Sequence, residues 1–331
     1  MTFTIAGKTV AKGFGLMGFT STMRANPLPV GEAIAAMKVA LDAGANFWNA
    51  GEFYGTPEYN SLHLLKAYFT KYPEDADRVV LSIKGGMTPS ITPDGSEANI
   101  RRSVGYCYEM LRGVKSIDVF ESARVDPTIP IEQTIGYLSE LVKEGKIGSI
   151  GLSEVRAETI HRAAKVHPIA GVEVELSLWA TEPLTNGVAA ACAEHNIPLI
   201  AYSPLGHGFL TGQIRSLDDI PEGDFRKMQP RFQPDAFPNN LKLVELVEGV
   251  AKRKGCTPAQ VGLAWVNAFN AKPGMPPILP IPGAVAPARI LENAHEVVLT
   301  DSELKEIDTF LEGFTTIGDR YPERLQEFSE G

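Results

Sequence analysis

Apolar and polar positions along this chain alternate between short β-rich runs and longer segments of helical period. The β-rich runs fall at residues 12–17, 45–49, 79–84, 117–123, 147–153, 171–175, 198–202 and 277–282. Between them, residues 31–43 place Ile34, Met37, Val39 and Leu41 near one helical face. Residues 132–143 do the same with Ile135, Leu138, Leu141 and Val142. Both segments stop at a glycine, Gly44 or Gly145, the usual signal past a helix C-terminus. About eight strands alternating with helices over roughly 300 residues predict a (β/α)₈ TIM barrel of the α/β class. A single domain is expected over residues 1–331. A doubly wound sheet with extra helices is the competing architecture. The barrel is favoured because the strands number about eight and the candidate chemistry stands at their C-terminal ends, where barrels build active sites.

Two stretches depart from the alternation. Residues 207–240, after the seventh strand, are long, proline-rich and charged, and include Gly223-Asp224-Phe225-Arg226 and Pro230-Arg231-Phe232. A loop of that length in a compact domain is usually a lid or binding loop. A capping pattern, Thr300-Asp301-Ser302-Glu303, then opens a segment with Leu304, Ile307, Phe310 and Leu311 at helical spacing. It predicts a terminal helix followed by an irregular C-terminal tail.

The chain has 331 residues, 44% hydrophobic and 21% charged, so a packed core is expected and disorder is not. A formal charge of −9 argues against a nucleic-acid partner, which calls for a basic surface. Cys107, Cys192 and Cys256 are scattered and form no C-x-x-C, which makes a disulfide framework or a metal site improbable and a reducing, cytoplasmic setting the simple reading. The N-terminus has no long apolar stretch, no segment approaches a membrane span, and Phe328-Ser329-Glu330-Gly331 carries no targeting signal. Oligomeric state is open, with a monomer favoured.

One motif is misleading. Gly13-Phe14-Gly15-Leu16-Met17-Gly18 matches G-x-G-x-x-G literally. A dinucleotide fold needs a helix to open at the third glycine, but Thr20-Ser21-Thr22 and Asn26-Pro27-Leu28-Pro29 follow. A first barrel strand with close backbone approach to a ligand fits better.

The chemistry is concentrated in Tyr54, in Phe53-Tyr54-Gly55, and Lys84, in Ser82-Ile83-Lys84-Gly85, each at the end of an apolar run. A nearby ammonium favours the phenolate and is expected to lower the tyrosine pKa. Such a pair suits protonation of a carbonyl oxygen as a hydride reaches its carbon.

Together these residues resemble the aldo-keto reductase superfamily over nearly the whole chain. The resemblance implies a (β/α)₈ barrel that binds NADPH without a dinucleotide fold and reduces aldehydes or ketones with an Asp-Tyr-Lys-His tetrad. Tyr54 and Lys84 match two members; Asn49 stands at the Asp position and Ala123 at the His position. Asn49-Ala50-Gly51-Glu52-Phe53-Tyr54-Gly55, Ala123-Arg124-Val125-Asp126, Gly13–Gly18, Gly151-Leu152-Ser153-Glu154-Val155 and Arg320-Tyr321 are similar to the fungal pyridoxal reductase branch. That branch reduces pyridoxal to pyridoxine with NADPH.

The resemblance places cofactor contacts on Gly15, Leu16 and Met17 in the first strand region. It assigns the carboxamide to Ser153, with Glu154 and Glu173 in place of the family's Asn and Gln. Tyr202 matches the nicotinamide-stacking aromatic. Ser203, Leu205, Gly206, Leu210 and Thr211 match the pyrophosphate segment. Gly283 replaces the phosphate-binding Lys, which leaves Arg289 for the 2′-phosphate beside Glu292 and Asn293. Asn49 is neutral and cannot neutralise Lys84, although its amide oxygen can accept from the ammonium. Lys84 is therefore expected to push Tyr54 further toward phenolate. Ala123 opens space for a substituted pyridine, whose hydroxyl next to the aldehyde would replace the lost His donor. Phe19, Phe53 and Trp179 are candidate stacking partners. Strand alternation points Arg124 away from the interior, toward a salt bridge with a helix. Arg320 and Tyr321 in the tail are candidates to close over the substrate. The alternatives are a broad aldehyde or quinone reductase of the same superfamily, or a slow redox-sensing subunit like the potassium-channel β-subunits.

Overall fold

The structure, a computed structural model, describes residues 2–22 and 28–323. Asn26-Pro27 and the C-terminal Phe328–Gly331, considered above, lie outside the described residues. An antiparallel hairpin comes first, β1 (Phe3–Ile5) and β2 (Lys8–Val10), paired Ile5 to Lys8 around a two-residue turn. Ala6 and Gly7 both take positive φ there, the pattern of a tight hairpin turn. The pattern reading missed this hairpin, because strands of three residues are too short to show a period.

Eight parallel strands follow: β3 (Lys12–Gly15), β4 (Ala45–Gly51), β5 (Val80–Gly85), β6 (Val119–Ser122), β7 (Ile150–Ser153), β8 (Ile169–Glu175), β9 (Leu199–Tyr202) and β10 (Ile278–Pro280). They hydrogen-bond in sequence order and form a (β/α)₈ TIM barrel. The turns and crossovers hold α1 (Met17–Thr20), α2 (Val30–Asp42), α3 (Ser61–Lys71), α4 (Glu97–Leu111), α5 (Ile131–Lys143), α6 (Ala157–Val166), α7 (Val188–Glu194), α8 (Phe237–Lys254), α9 (Pro258–Ala268) and α10 (Pro287–Ala294). The terminal helix α11 (Asp301–Gly313) carries the expected capping box between Thr300 and Glu303.

The seam between β3 and β10 explains the G-x-G-x-x-G motif. A Cβ on Gly13 would lie 2.5 Å from Pro280 O, and one on Gly15 3.0 Å from Ile281 O. The glycines therefore let the first and last strands meet, where Gly15 N donates to Pro282 O at 3.3 Å. A single helical turn, α1, does open here, but it ends at Thr20 and no dinucleotide fold follows.

The two ends of the barrel are built differently. At the N-terminal end, Ile5 and Val10 of the hairpin pack with Phe47, Val80, Val119, Ile200, Leu279 and Ile281. Lys8 ties the hairpin to Asp118 at 2.7 Å. At the C-terminal end, the long connection after β9 coils through short 3₁₀ turns between Gly206 and Phe232. The tail after α11 is pinned beside it. Asn240 Nδ2 donates to Ile317 O at 2.9 Å, Ile317 N donates to Asn240 Oδ1 at 3.0 Å, and Arg231 Nε donates to Gly318 O at 3.2 Å. Among the described residues no helix is long and apolar enough to cross a membrane.

Candidate active site

Strand register assembles the site. Gly51 of β4 pairs with Lys84 of β5, Lys84 with Glu121 of β6, and Ser153 of β7 with Glu173 of β8. Tyr54 follows β4 on a turn held by Ser61 N and Thr20 Oγ1, which donate to its carbonyl at 3.0 and 2.6 Å. A Cβ on Gly51 would lie only 3.0 Å from the Tyr54 ring. The bare glycine thus lets the phenol lie across the strand next to Lys84, which an alanine would obstruct. The half-buried ring sits among densely packed groups. Burial and the charges of Glu173 and Glu121 outweigh the pull of Lys84 and Arg124, and push the phenol up to about 12. The expected lowering by Lys84 is present but does not win.

Lys84 is 5% exposed. Its Nζ meets Glu173 Oε1 at 2.5 Å and stands 5.0 Å from the centre of the Tyr202 ring. Burial disfavours the ammonium, yet Glu173, Tyr54 and Glu121 together raise its pKa above the ordinary lysine value. Asn49 does not take the ammonium as expected. Its Nδ2 donates instead to Glu173 Oε2 at 2.5 Å and Glu121 Oε1 at 3.1 Å. Ser82 Oγ also donates to Glu121 Oε1, at 2.5 Å. Burial and the nearby Glu173 hold the Glu121 carboxyl well above the usual carboxylate range. Glu121 and Ser82 escaped the pattern reading, although an acid inside the apolar strand Val119-Phe120-Glu121-Ser122 is an available signal.

A second charged cluster rims the mouth. Arg320 Nη2 donates to Glu154 Oε2 at 2.8 Å, and its Nη1 reaches Glu175 Oε2 at 3.4 Å. Glu175 also faces His207 Nε2 at 3.5 Å. Burial raises the Glu175 carboxyl, but His207, Arg320 and Arg231 more than reverse this and bring it to about 2. Tyr321 and Tyr202 share a hydroxyl contact of 2.5 Å. Glu173 and Glu175 lie two residues apart on one strand and point inward together. That spacing is the signal for Glu175, which the sequence reading passed over.

Arg124 corrects an expectation. Among the described residues it makes no salt bridge with a helix; its Nη1 donates to Ala123 O at 2.6 Å and its guanidinium stands 5.9 Å from the Tyr321 ring. The strand ends at Ser122, so alternation no longer governs position 124. Ala123 is buried beside it, its N–H donating to Gly85 O at 2.9 Å. Of the three aromatics, Phe19 is core and Trp179 stacks on Phe209 at 4.2 Å, so neither presents a free face. Phe53 remains half-buried against Tyr54 at 5.1 Å.

The residues expected around a nicotinamide cofactor form an arc over the barrel's C-terminal end. Ser153 Oγ is buried and has no partner among the described residues, as a group awaiting a ligand amide would be. Ser203 adopts φ 47°, Glu154 φ 52° and His207 φ 54°, left-handed conformations rare outside glycine and here gathered at strand ends. Gly283 is exposed and its Cα approaches Gly15 across the seam. Arg289 is exposed on α10, bonded to Gln213, with Glu292 and Asn293 on the next turn. Leu16 and Leu210 are fully packed in the core and Thr211 Oγ1 bonds Gly208 O at 2.7 Å, so these and Met17, Leu205 and Gly206 offer only backbone or partial surface. Glu154 and Glu173, expected at the carboxamide, are instead engaged by Arg320 and by Lys84. A cavity of about 160 Å³ lies at the β3–β10 seam beneath α9 and α10; Lys12, Asn293 and Glu296 line it, and it reaches neither Lys84 and Glu173 nor the Arg320 cluster. Three groups with metal-ligating atoms within 4.8 Å, His161, Glu194 and His195, also lie apart, on α6 and at the end of α7.

An eight-stranded barrel with a tyrosine and an ion-paired lysine at its C-terminal mouth defines a class, and the family profile agrees. The sequence profile of the aldo/keto reductase family matches residues 13–312, and the chain belongs to that family of oxidoreductases. It is 39% identical over 324 residues to "Probable pyridoxal reductase 2" of Schizosaccharomyces pombe, covering 95% of each chain. It is also 39% identical to a Saccharomyces cerevisiae protein whose pyridoxal reductase name is likewise provisional, covering 93% of this chain and 95% of that one. A third relative, at 36% identity over 94% of this chain and 91% of its own length, is a Schizosaccharomyces pombe aldo-keto reductase whose name carries NADP(+). Among solved structures, a glycerol dehydrogenase from Gluconobacter oxydans superposes with a TM-score of 0.82 at 23% identity, covering 96% of this chain and 97% of that one. That likeness concerns the fold.

Proposed function

We propose that the protein reduces pyridoxal to pyridoxine with NADPH. The observation that carries this reading is the Tyr54 phenol laid over Gly51 beside the ion-paired Lys84. When bound, NADPH supplies the hydride for the aldehyde carbon. Tyr54 holds its proton firmly at neutral pH and gives it to the aldehyde oxygen as charge develops there. Lys84 stabilises the phenolate that Tyr54 becomes. Ser153 Oγ would hold the carboxamide, the Tyr202 ring the nicotinamide face, the 203–212 segment the pyrophosphate, and Arg289 the 2′-phosphate through its planar fork. Ala123 leaves room for the substituted ring, and Arg124 offers N–H donors to the hydroxyl next to the aldehyde.

The 39% identity to two proteins named as pyridoxal reductases supports this substrate over other aldehydes. The test is NADPH oxidation with pyridoxal beside 4-nitrobenzaldehyde and 3-deoxypyridoxal, with the product identified. Saturable conversion to pyridoxine, with the deoxy analogue much slower, is expected. Turnover of the nitroaldehyde alone would keep the reductase and move its substrate elsewhere.

A further inference from the structure

A buried ammonium must be met by a carboxylate or lose its proton, since isolated charge in the interior is strongly disfavoured. Lys84 faces the amide of Asn49 on β4, Glu121 on β6 and the carboxylate of Glu173 on β8, with the Tyr54 phenol and the Arg124 guanidinium also near. Among the described residues only Glu173 bonds Nζ, at 2.5 Å. Its second oxygen accepts from Asn49 at 2.5 Å, so both oxygens are held. An aspartate at position 49 would set a third carboxyl group against two others, whereas the asparagine turns N–H donors toward both. The asparagine adds no charge of its own, so Lys84 and Glu173 face each other as a cation–anion pair, which a buried site tolerates.

We propose that Glu173 is the positioning residue that keeps Lys84 charged and aimed for its work on Tyr54, with Asn49 as its clamp. The carboxylate and the amide have exchanged strands, and the counter-ion expected on β4 is carried by β8. A second consequence follows from donor chemistry. A carboxylate only accepts, so Glu173 has no N–H for a carboxamide oxygen. Recognition of the carboxamide oxygen would then rest on Ser153 and backbone N–H groups.

The effect on rate rests on the proposed reductase activity; the effect on Lys84 does not. The variants are Glu173→Gln, Glu173→Asp and the exchange Asn49→Asp/Glu173→Gln. The first readout is the Cε chemical shift of Lys84 against pH in lysine-labelled protein, assigned with Lys84→Met. Glu173→Gln is expected to lower the Lys84 titration by about one pH unit or more, a tenfold weaker hold on its proton. It is also expected to lower kcat by about 10²-fold with little change in KM. The exchange should recover most of both, and Glu173→Asp should shift Lys84 less than Glu173→Gln. An unmoved titration in Glu173→Gln would overturn the proposal. So would a folded exchange variant as shifted as the single one, or an equal shift in Glu173→Asp. If the wild type reduces no aldehyde, the reductase reading falls and the titration alone decides this one.

Discussion

The two ends of this barrel are made of opposite materials. The N-terminal end is closed by hydrocarbon: Ile5 and Val10 of the hairpin pack on Phe47, Val80 and Leu279. The C-terminal end buries Lys84, Glu121, Glu154, Glu173 and Glu175, and gathers the left-handed backbone of Glu154, Ser203 and His207. Burial of apolar surface stabilises a fold at roughly 25 cal/mol per Å², whereas buried charges and strained backbone at best break even. Stability therefore belongs to one end and chemistry to the other, and substitutions should separate them.

The largest effect is expected at the polar end. Lys84→Met combined with Glu173→Gln should lower kcat for pyridoxal by about 10²-fold or more while leaving the thermal midpoint near the wild type, because the buried ion pair is removed as a whole and no charge is left without its partner. A large fall in stability with normal turnover would break the comparison. At the apolar end the reverse holds. Ile5→Ala should cost about 2–5 kcal/mol in denaturant unfolding, with kcat of the folded protein unchanged. Arg289→Ala should weaken NADPH binding by about tenfold and leave NADH binding nearly unaltered, measured by cofactor fluorescence titration.

The smallest effect concerns pH. Glu175 is held near 2, below the ordinary carboxylate value of 4.5, so its contribution is present above about 4.5 and is lost as pH falls toward 2. Thermal midpoints measured across that window should fall less steeply in Glu175→Gln than in the wild type. Parallel slopes would show that the mouth cluster contributes nothing to acid stability.

The strand–helix alternation made the barrel legible, because each strand is an apolar run buried on both faces. The tyrosine and lysine were legible for the same reason, as polar residues at the ends of such runs. The Lys84–Glu173 pair was not: 89 residues separate its partners, and only closure of the sheet brings β8 opposite β5. Position-by-position resemblance even pointed elsewhere, giving Glu173 to a carboxamide and leaving Lys84 unneutralised. Loss of acid at Asn49 and gain at Glu173 were both visible, but their compensation is a fact of three dimensions. Arg124 was misplaced because alternation was extended past Ser122, where the strand stops.

The most direct test of the account compares wild type with Tyr54→Phe at saturating pyridoxal, following NADPH oxidation, with NADPH binding measured on both proteins. The account predicts saturable turnover by the wild type and a kcat lower by about 10²–10⁴-fold in Tyr54→Phe, with cofactor binding retained. A Tyr54→Phe protein that turns over pyridoxal at the wild-type rate would contradict it.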